Sequence, residues 1–163
     1  MPIEIERKFL IAGDAWRKHV HRVLEIRQGY LCKDIERTVR IRTWGTEGKI
    51  TVKGKSINGA RAEYEYNIPF DHAVELLDTL CLPGVVHKQR YFIQIDAYTW
   101  EIDEFLDHNR GLVLAEVELP TIDAKISLPD WIGMEVTNDH RFQNSHLAGN
   151  TIDIESTLRP KRT

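Results

Sequence analysis

Residues 2–11 alternate apolar and charged positions, with Ile3, Ile5 and Phe9 on one parity and Glu4, Glu6 and Lys8 on the other. A period of two is the signature of a strand, so the chain opens on a β-strand with a charged face. Asp14 can cap a short helix reaching about Val20, with Trp16 and Val20 on one side. Strands are then expected at about 22–33, 36–45, 48–56 and 60–68, with turn residues at Lys33-Asp34, Gly45 to Gly48 and Asn58-Gly59. Pro69 ends this run of hairpins, and 71–82 reads as an amphipathic helix with Ala73, Val74, Leu77 and Leu80 or Cys81 inward. Three more strands follow near 85–95, 98–105 and 112–119, with a turn at Asp96-Ala97, and Pro120 stops the third. The apolar stretch Trp131 to Val136 and a polar helix over about 139–148 read as a cover packed on the sheet.

Such a series implies an antiparallel α+β domain whose sheet is long enough to close into a barrel. The parity of the first strand recurs in the others. Arg40 and Arg42 oppose Val39 and Ile41; Thr51 and Lys53 oppose Ile50 and Val52; Arg61, Glu63 and Glu65 oppose Tyr64 and Tyr66. Lys88 and Arg90 oppose Tyr91 and Ile93, Glu101 and Asp103 flank Ile102, and Glu116 and Glu118 oppose Val117 and Leu119. A wet outer face is the ordinary explanation for one such strand. What departs from it is that acids come as neighbouring pairs, and so do bases.

Carboxylates at i and i+2 of a strand stand roughly 7 Å apart on one face and raise each other's cost of ionisation. A shared hard cation such as Mg²⁺ or Mn²⁺ relieves that repulsion, and it takes phosphate oxygens in its remaining positions. Glu4 with Glu6 and Glu116 with Glu118 suit this role if the first and last long strands meet. Lys8, Arg40, Arg42, Lys53, Arg61, Lys88 and Arg90, pointing into one lumen, would form a basic wall for a polyanion.

Composition narrows the classes further. The 163 residues suit one domain, expected over 1–157 with a flexible tail at 158–163. The 22 Lys and Arg against 25 Asp and Glu leave a formal charge of −3, so no global field attracts DNA or an anionic membrane. Tyr64, Tyr66 and Tyr91 fall on the parity opposite the bases, which disfavours stacking of single-stranded nucleic acid. No signal-peptide pattern and no apolar run near the roughly 20 residues of a membrane span is present, so a cytoplasmic location is expected. Cys32 and Cys81 read as free thiols, and the seven histidines lack zinc spacing. No Gly-rich phosphate loop or G-x-S-x-G elbow appears. The oligomeric state is left open, a homodimer among the outcomes.

The stretch Glu4-Ile5-Glu6-Arg7-Lys8 resembles the E-x-E-x-K signature of the CYTH superfamily, the triphosphate tunnel metalloenzymes. RQGYL around Tyr30, TVRIR ending at Arg42, TVKGK around Lys53, RAEYE at 61–65, KQRY at 88–91, EIDEF around Asp103, LAEVEL at Glu116 and Glu118, and EVTNDHRFQNSHLA follow in family order. The resemblance implies a closed eight-stranded antiparallel β-barrel, a tunnel with a charged lumen and a few helices packed outside. It implies metal ligation by Glu4, Glu6, Asp103, Glu116 and Glu118, and a triphosphate cradle of the seven basic residues named above. Tyr30 is a candidate for proton handling, and Lys88 joins it as a candidate catalytic residue. The EIERKF start looks most like the short bacterial inorganic triphosphatases. Alternatives are an adenylate cyclase, an organic triphosphatase or a non-catalytic polyphosphate-binding module, though no adenine pocket can be picked out.

Overall fold

The computed structural model describes residues 2–153, so the tail expected at 158–163 lies outside the described residues. The strands are β1 (Ile3–Ile11), β2 (Arg22–Asp34), β3 (Arg37–Trp44), β4 (Glu47–Gly54), β5 (Ala60–Ile68), β6 (Val86–Ile95), β7 (Tyr98–Phe105), β8 (Val113–Glu118) and β9 (Ile132–Glu135). They pair antiparallel in the order β5-β4-β3-β2-β6-β7-β8-β1-β9, and a further β5–β1 pairing closes the first eight into a barrel. The Asn58-Gly59 and Asp96-Ala97 turns stand where the sequence puts them; Asn58 and Asp96 each take a φ of 52°, which short polar side chains tolerate.

The seam of the barrel is β1. Its residues Ile3, Glu4 and Ile5 pair with β5, whereas Phe9 and Ile11 pair with the four-residue β9, a strand within the apolar stretch expected to be cover. Between the two partners the backbone is held by Glu6 N–H donating to Gly59 O at 3.1 Å and Lys8 N–H donating to the Thr137 hydroxyl at 3.0 Å.

With a charged lumen, much of the hydrophobic core lies outside the barrel wall, and the rest plugs one end of the barrel. Phe9, Trp16, Ile93, Trp100, Ile102, Val117 and Trp131 form one cluster under the first loop and the segment after β8. Leu10, Tyr30, Val86, Phe105, Leu114, Phe142 and Leu147 belong to a second, whose strand residues share the inward parity of Lys8, Arg40 and Lys88 and close the inner end of the barrel beneath the C-terminal segment. Ile41, Ala73 and Leu77 anchor the third, where helix α1 (Phe70–Thr79) crosses β3 and β4. Of Leu80 and Cys81 it is Cys81 that packs inward, because the helix ends at Thr79 and Leu80 turns to solvent.

Two expected helices are shorter than the pattern suggested. Asp14 precedes only a 3-10 turn, Ala15–His19; its carboxylate makes no cap and instead meets Arg17 at 3.3 Å. The helix expected over 139–148 is broken at Gln143, whose ψ of 138° is extended, into a 3-10 turn His140–Phe142 and the short α2 (Asn144–Leu147). The break lets Phe142 and Leu147 both reach the second cluster while Asn144 turns toward the barrel. Among the described residues no helix is long and apolar enough to cross a membrane.

Gly59 has φ +80°, and a Cβ there would lie 2.7 Å from Glu6 O. Gly59→Ala is expected to destabilise the fold by about 1–3 kcal/mol in urea unfolding, through strain and a displaced seam. Gly54→Ala, whose Cβ would meet Ala62 at an ordinary 3.6 Å, should stay within about 0.5 kcal/mol of wild type. Equal midpoints for the two variants would contradict this account of the seam.

Candidate functional site

Because each ladder keeps the parity of its neighbour, the charged sides of the strands arrive on one inner surface. Arg61 lies opposite Glu4, Glu118 opposite Glu6, and Glu116 opposite both Lys8 and Glu101. On the other wall Tyr30 lies opposite Arg40, Arg40 opposite Thr51, and Thr51 opposite Glu65. Circular strand order sets β3 across the barrel from β8, so the arginine pair faces the late glutamate pair. The cavity inside the barrel is about 480 Å³ and open to solvent, and Glu4, Glu6, Arg40, Arg42, Lys53, Arg90, Glu116 and Glu118 all line it.

Much of this charge is paired. Lys53 Nζ lies 2.8 Å from Glu4 and 3.0 Å from Glu63, and Arg61 Nε lies 3.1 Å from the same Glu4. Burial works against ionising Glu4, but Lys53 and Arg61 overcome it and bring the carboxyl down to about 2. Lys8 Nζ is 3.2 Å from Glu116 and donates to Phe142 O at 3.0 Å. Arg90 grips Asp103 through two hydrogen bonds of 2.7 and 2.8 Å and also meets Glu101.

Both signs are nevertheless left over. Arg42 is 6% exposed, its Nε has no hydrogen-bond partner, and among the described residues no carboxylate stands within ion-pair distance of it. Burial, then the neighbouring Arg40 and Arg90, push its guanidinium below the ordinary range. Arg40 Nε is orphaned too, and its nearest acid, Glu65, is 3.7 Å away. On the facing wall, burial together with Glu116 and Glu4 holds the Glu6 carboxyl up at about 7. Glu118 is raised by burial and by Glu4, Glu63 and Glu101, whereas at Glu116 the effect of burial is overcome by Lys8 and Arg90, which hold its carboxyl well below the ordinary range.

An acid wall short of cations and a basic wall short of anions are the electrostatics that a divalent ion and a polyanion would complete. The donor set fits a hard cation, being all carboxylate oxygen. Its members are spread by their basic partners: among the described residues no three Asp, Glu, His or Cys side chains are gathered closely enough to hold one ion.

Five expected residues sit apart from the main cavity: Lys8 and Arg61, which line a small pocket of about 10 Å³ with Glu6, and Asp103, Lys88 and Tyr30. Asp103 is 1% exposed, with its oxygens taken by Arg90 and by Lys88 at 2.6 Å, so it lies behind the lumen rather than beside Glu4, Glu6, Glu116 and Glu118. Lys88 is fully buried, and burial draws its ammonium down to about 7 despite Asp103. Tyr30 lines a small pocket of about 10 Å³ at the inner end, and burial raises its hydroxyl in spite of Arg40, Arg61, Arg42 and Lys8. Conversely, Lys49, Glu63, Glu65 and Glu101 line the cavity without having been assigned a role; their parity already pointed inward. Trp44 continues the parity of Arg40 and Arg42, and its ring is held among Arg42, Lys49 and Arg90 at 5.3–5.7 Å. Asn144, from the irregular C-terminal segment, carried no periodic signal.

The family model described as the CYTH domain matches residues 2–147. A protein of Acetivibrio thermocellus named inorganic triphosphatase is 49% identical over 147 residues, covering 90% of this chain and 94% of the relative. A second inorganic triphosphatase, from Nitrosomonas europaea, is 37% identical over 150 residues, covering 89% and 96%. Among solved structures, the inorganic triphosphatase NE1496 superposes with a TM-score of 0.62 at 37% identity, over 89% of this chain and 97% of the other.

Glu6 yields a pH test on metal-free protein. Its carboxyl is raised from 4.5 to about 7 in the fold, so its contribution to stability is complete below 4.5 and is lost as pH rises through 7. In chelator, the thermal midpoint of wild type should fall relative to Glu6→Gln by roughly 5 °C between about pH 5 and pH 8. Parallel midpoints by circular dichroism would mean that Glu6 does not titrate there.

Proposed function

The chain belongs to the CYTH domain family, and we propose that it is an inorganic triphosphatase, cleaving tripolyphosphate inside the tunnel with the help of a divalent metal. The observation that carries this is the unpaired Arg42 guanidinium together with the under-neutralised Glu6 and Glu118. A buried ion without a counter-ion costs several kcal/mol, and a phosphate chain bound with a cation removes that cost on both walls at once.

Glu6, Glu116 and Glu118, with Glu4 beside them, are the groups that would hold Mg²⁺ or Mn²⁺. When bound, such an ion neutralises non-bridging oxygens as a Lewis acid and makes bound water more acidic. The protein's own part is positional and electrostatic. Arg40 and Arg42 fork onto phosphate oxygens, Lys53, Arg61 and Arg90 supply further positive charge, and Lys8 holds Glu116 in place. Water attacks the terminal phosphorus, the bridging P–O bond breaks, and pyrophosphate and orthophosphate leave with release of a proton. Asp103 fixes Arg90 from behind, and Tyr30, raised rather than lowered, is assigned to the wall at the inner end and not to proton transfer.

An inorganic substrate is favoured over a nucleotide because, of the two aromatic side chains at the lumen, Tyr98 and Trp44, the larger, Trp44, has its ring engaged with three cations. It is therefore poorly placed to stack on a base. We place the enzyme in the cytoplasm, acting on a small-molecule phosphate chain.

Phosphate release from tripolyphosphate should require added Mg²⁺ or Mn²⁺, with Glu116→Gln lowering kcat/KM at least about 100-fold and Arg42→Ala about 10- to 100-fold. ATP and thiamine triphosphate, assayed alongside, should give lower kcat/KM. Near-native rates for Glu116→Gln would overturn the metal wall, and a preference for either organic substrate would overturn the inorganic assignment.

A further inference from the structure

One amide side chain of the C-terminal segment borders the inner end of the cavity. Asn144, together with Arg40 and Lys53, lines both the main lumen and the small pocket behind it. Beyond that small pocket a second chamber of about 370 Å³ opens on the opposite side of the barrel, lined by Lys33, Lys55, Arg61, His140 and His146 among others. Asn144 thus stands where a chain entering from the main lumen would have to stop.

The orientation of its carboxamide follows from its neighbours. Lys88 Nζ and Gln28 Nε2 each lie 3.0 Å from Asn144 Oδ1. Protonated Lys88 has only N–H donors, so the amide atom facing it is the oxygen. Gln28 and Lys88 are both completely buried, which fixes that side of the amide. The Nδ2 group is then turned away from both, and among the described residues it has no acceptor. Two amide hydrogens without a partner, beside Arg40 and Lys53, are suited to an anionic oxygen.

We propose that Asn144 is a substrate-contacting residue whose Nδ2 donates to an oxygen of the innermost phosphate group and which ends the phosphate chain at that depth. Lys88, which has no access to the lumen itself, acts on the substrate through this amide. The proposal rests on the triphosphatase assignment of the lumen.

Asn144→Asp separates a contact from a packing role. It preserves the size of the side chain and an acceptor for Lys88 and Gln28, but replaces the lumen-facing donor with an anionic oxygen. Titration calorimetry with tripolyphosphate and Mg²⁺, with KM and kcat measured in parallel, should show Kd and KM raised at least about tenfold, while the thermal midpoint stays at or above that of wild type. Asn144→Ala, which removes the floor as well as the donor, should bind tripolyphosphate about tenfold more weakly and raise kcat/KM for tetrapolyphosphate relative to tripolyphosphate. Wild-type affinity in folded Asn144→Asp overturns the proposal, and if that variant does not fold, wild-type affinity and chain-length preference in Asn144→Ala overturn it. Wild-type protein that neither binds nor cleaves tripolyphosphate overturns the lumen assignment itself, a result distinct from a normal wild type with an unaffected variant.

Discussion

A closed sheet that turns its charged parity inward must find a counter-charge for each ion it removes from water, and the rest of this structure follows from how far that is achieved. The wall solves most of it with alternating neighbours. Lys53 sits between Glu4 and Glu63, Arg90 between Asp103 and Glu101, and Lys8 against Glu116. Such pairs do not make the barrel more stable than apolar packing would, because desolvation offsets much of their attraction. What they contribute is placement: each charged end is held by its neighbours in a geometry that a bound ion need not create.

Stability has to come from elsewhere, and it comes from the outer face and from one apolar end of the barrel. Trp16, Trp100 and Trp131 are buried among Phe9, Ile93, Ile102 and Val117 on the outside of the barrel wall, under segments that would otherwise be loops. The short α2 and the 3-10 turn before it instead bring Phe142 and Leu147 onto Leu10, Tyr30, Phe105 and Leu114, the inward-facing apolar residues that plug the inner end of the barrel. The inversion explains a feature of the chain that looked ordinary strand by strand. At the charged levels the apolar parity does not mark the inside of the barrel; it marks the surface on which the covering segments pack.

This is also why the fold was readable and part of the site was not. Parity carries to the next strand through an antiparallel ladder, so Glu4, Glu6, Arg40, Arg42, Lys53 and Glu116 could be put on one face from sequence, and they line one cavity. Parity does not give depth along the barrel axis. Lys88, Asp103 and Tyr30 have the same inward parity, yet they sit at levels where neighbouring side chains fill the space in front of them. Trp44 was legible in principle as the next residue of the Arg40 and Arg42 series. Asn144 was not, because its position depends on a backbone break at Gln143 that no hydrophobic period encodes.

Glu4 and Glu6 show how depth and neighbours divide two residues that the sequence presents as equivalents. They are two apart on one strand and face the same cavity. Glu4 meets β5, where Lys53 and Arg61 converge on it and hold it at about 2. Glu6 is already past the end of that pairing and opposite Glu118; its nearest base, Arg61, is 3.8 Å away, and its carboxyl is held near 7. Glu4 is therefore the better-satisfied of the pair, an anchor whose ionisation is supplied by the protein. Glu6 is the member whose ionisation at neutral pH calls for positive charge from outside the chain, because the seam that closes the barrel also separates it from the bases on β4.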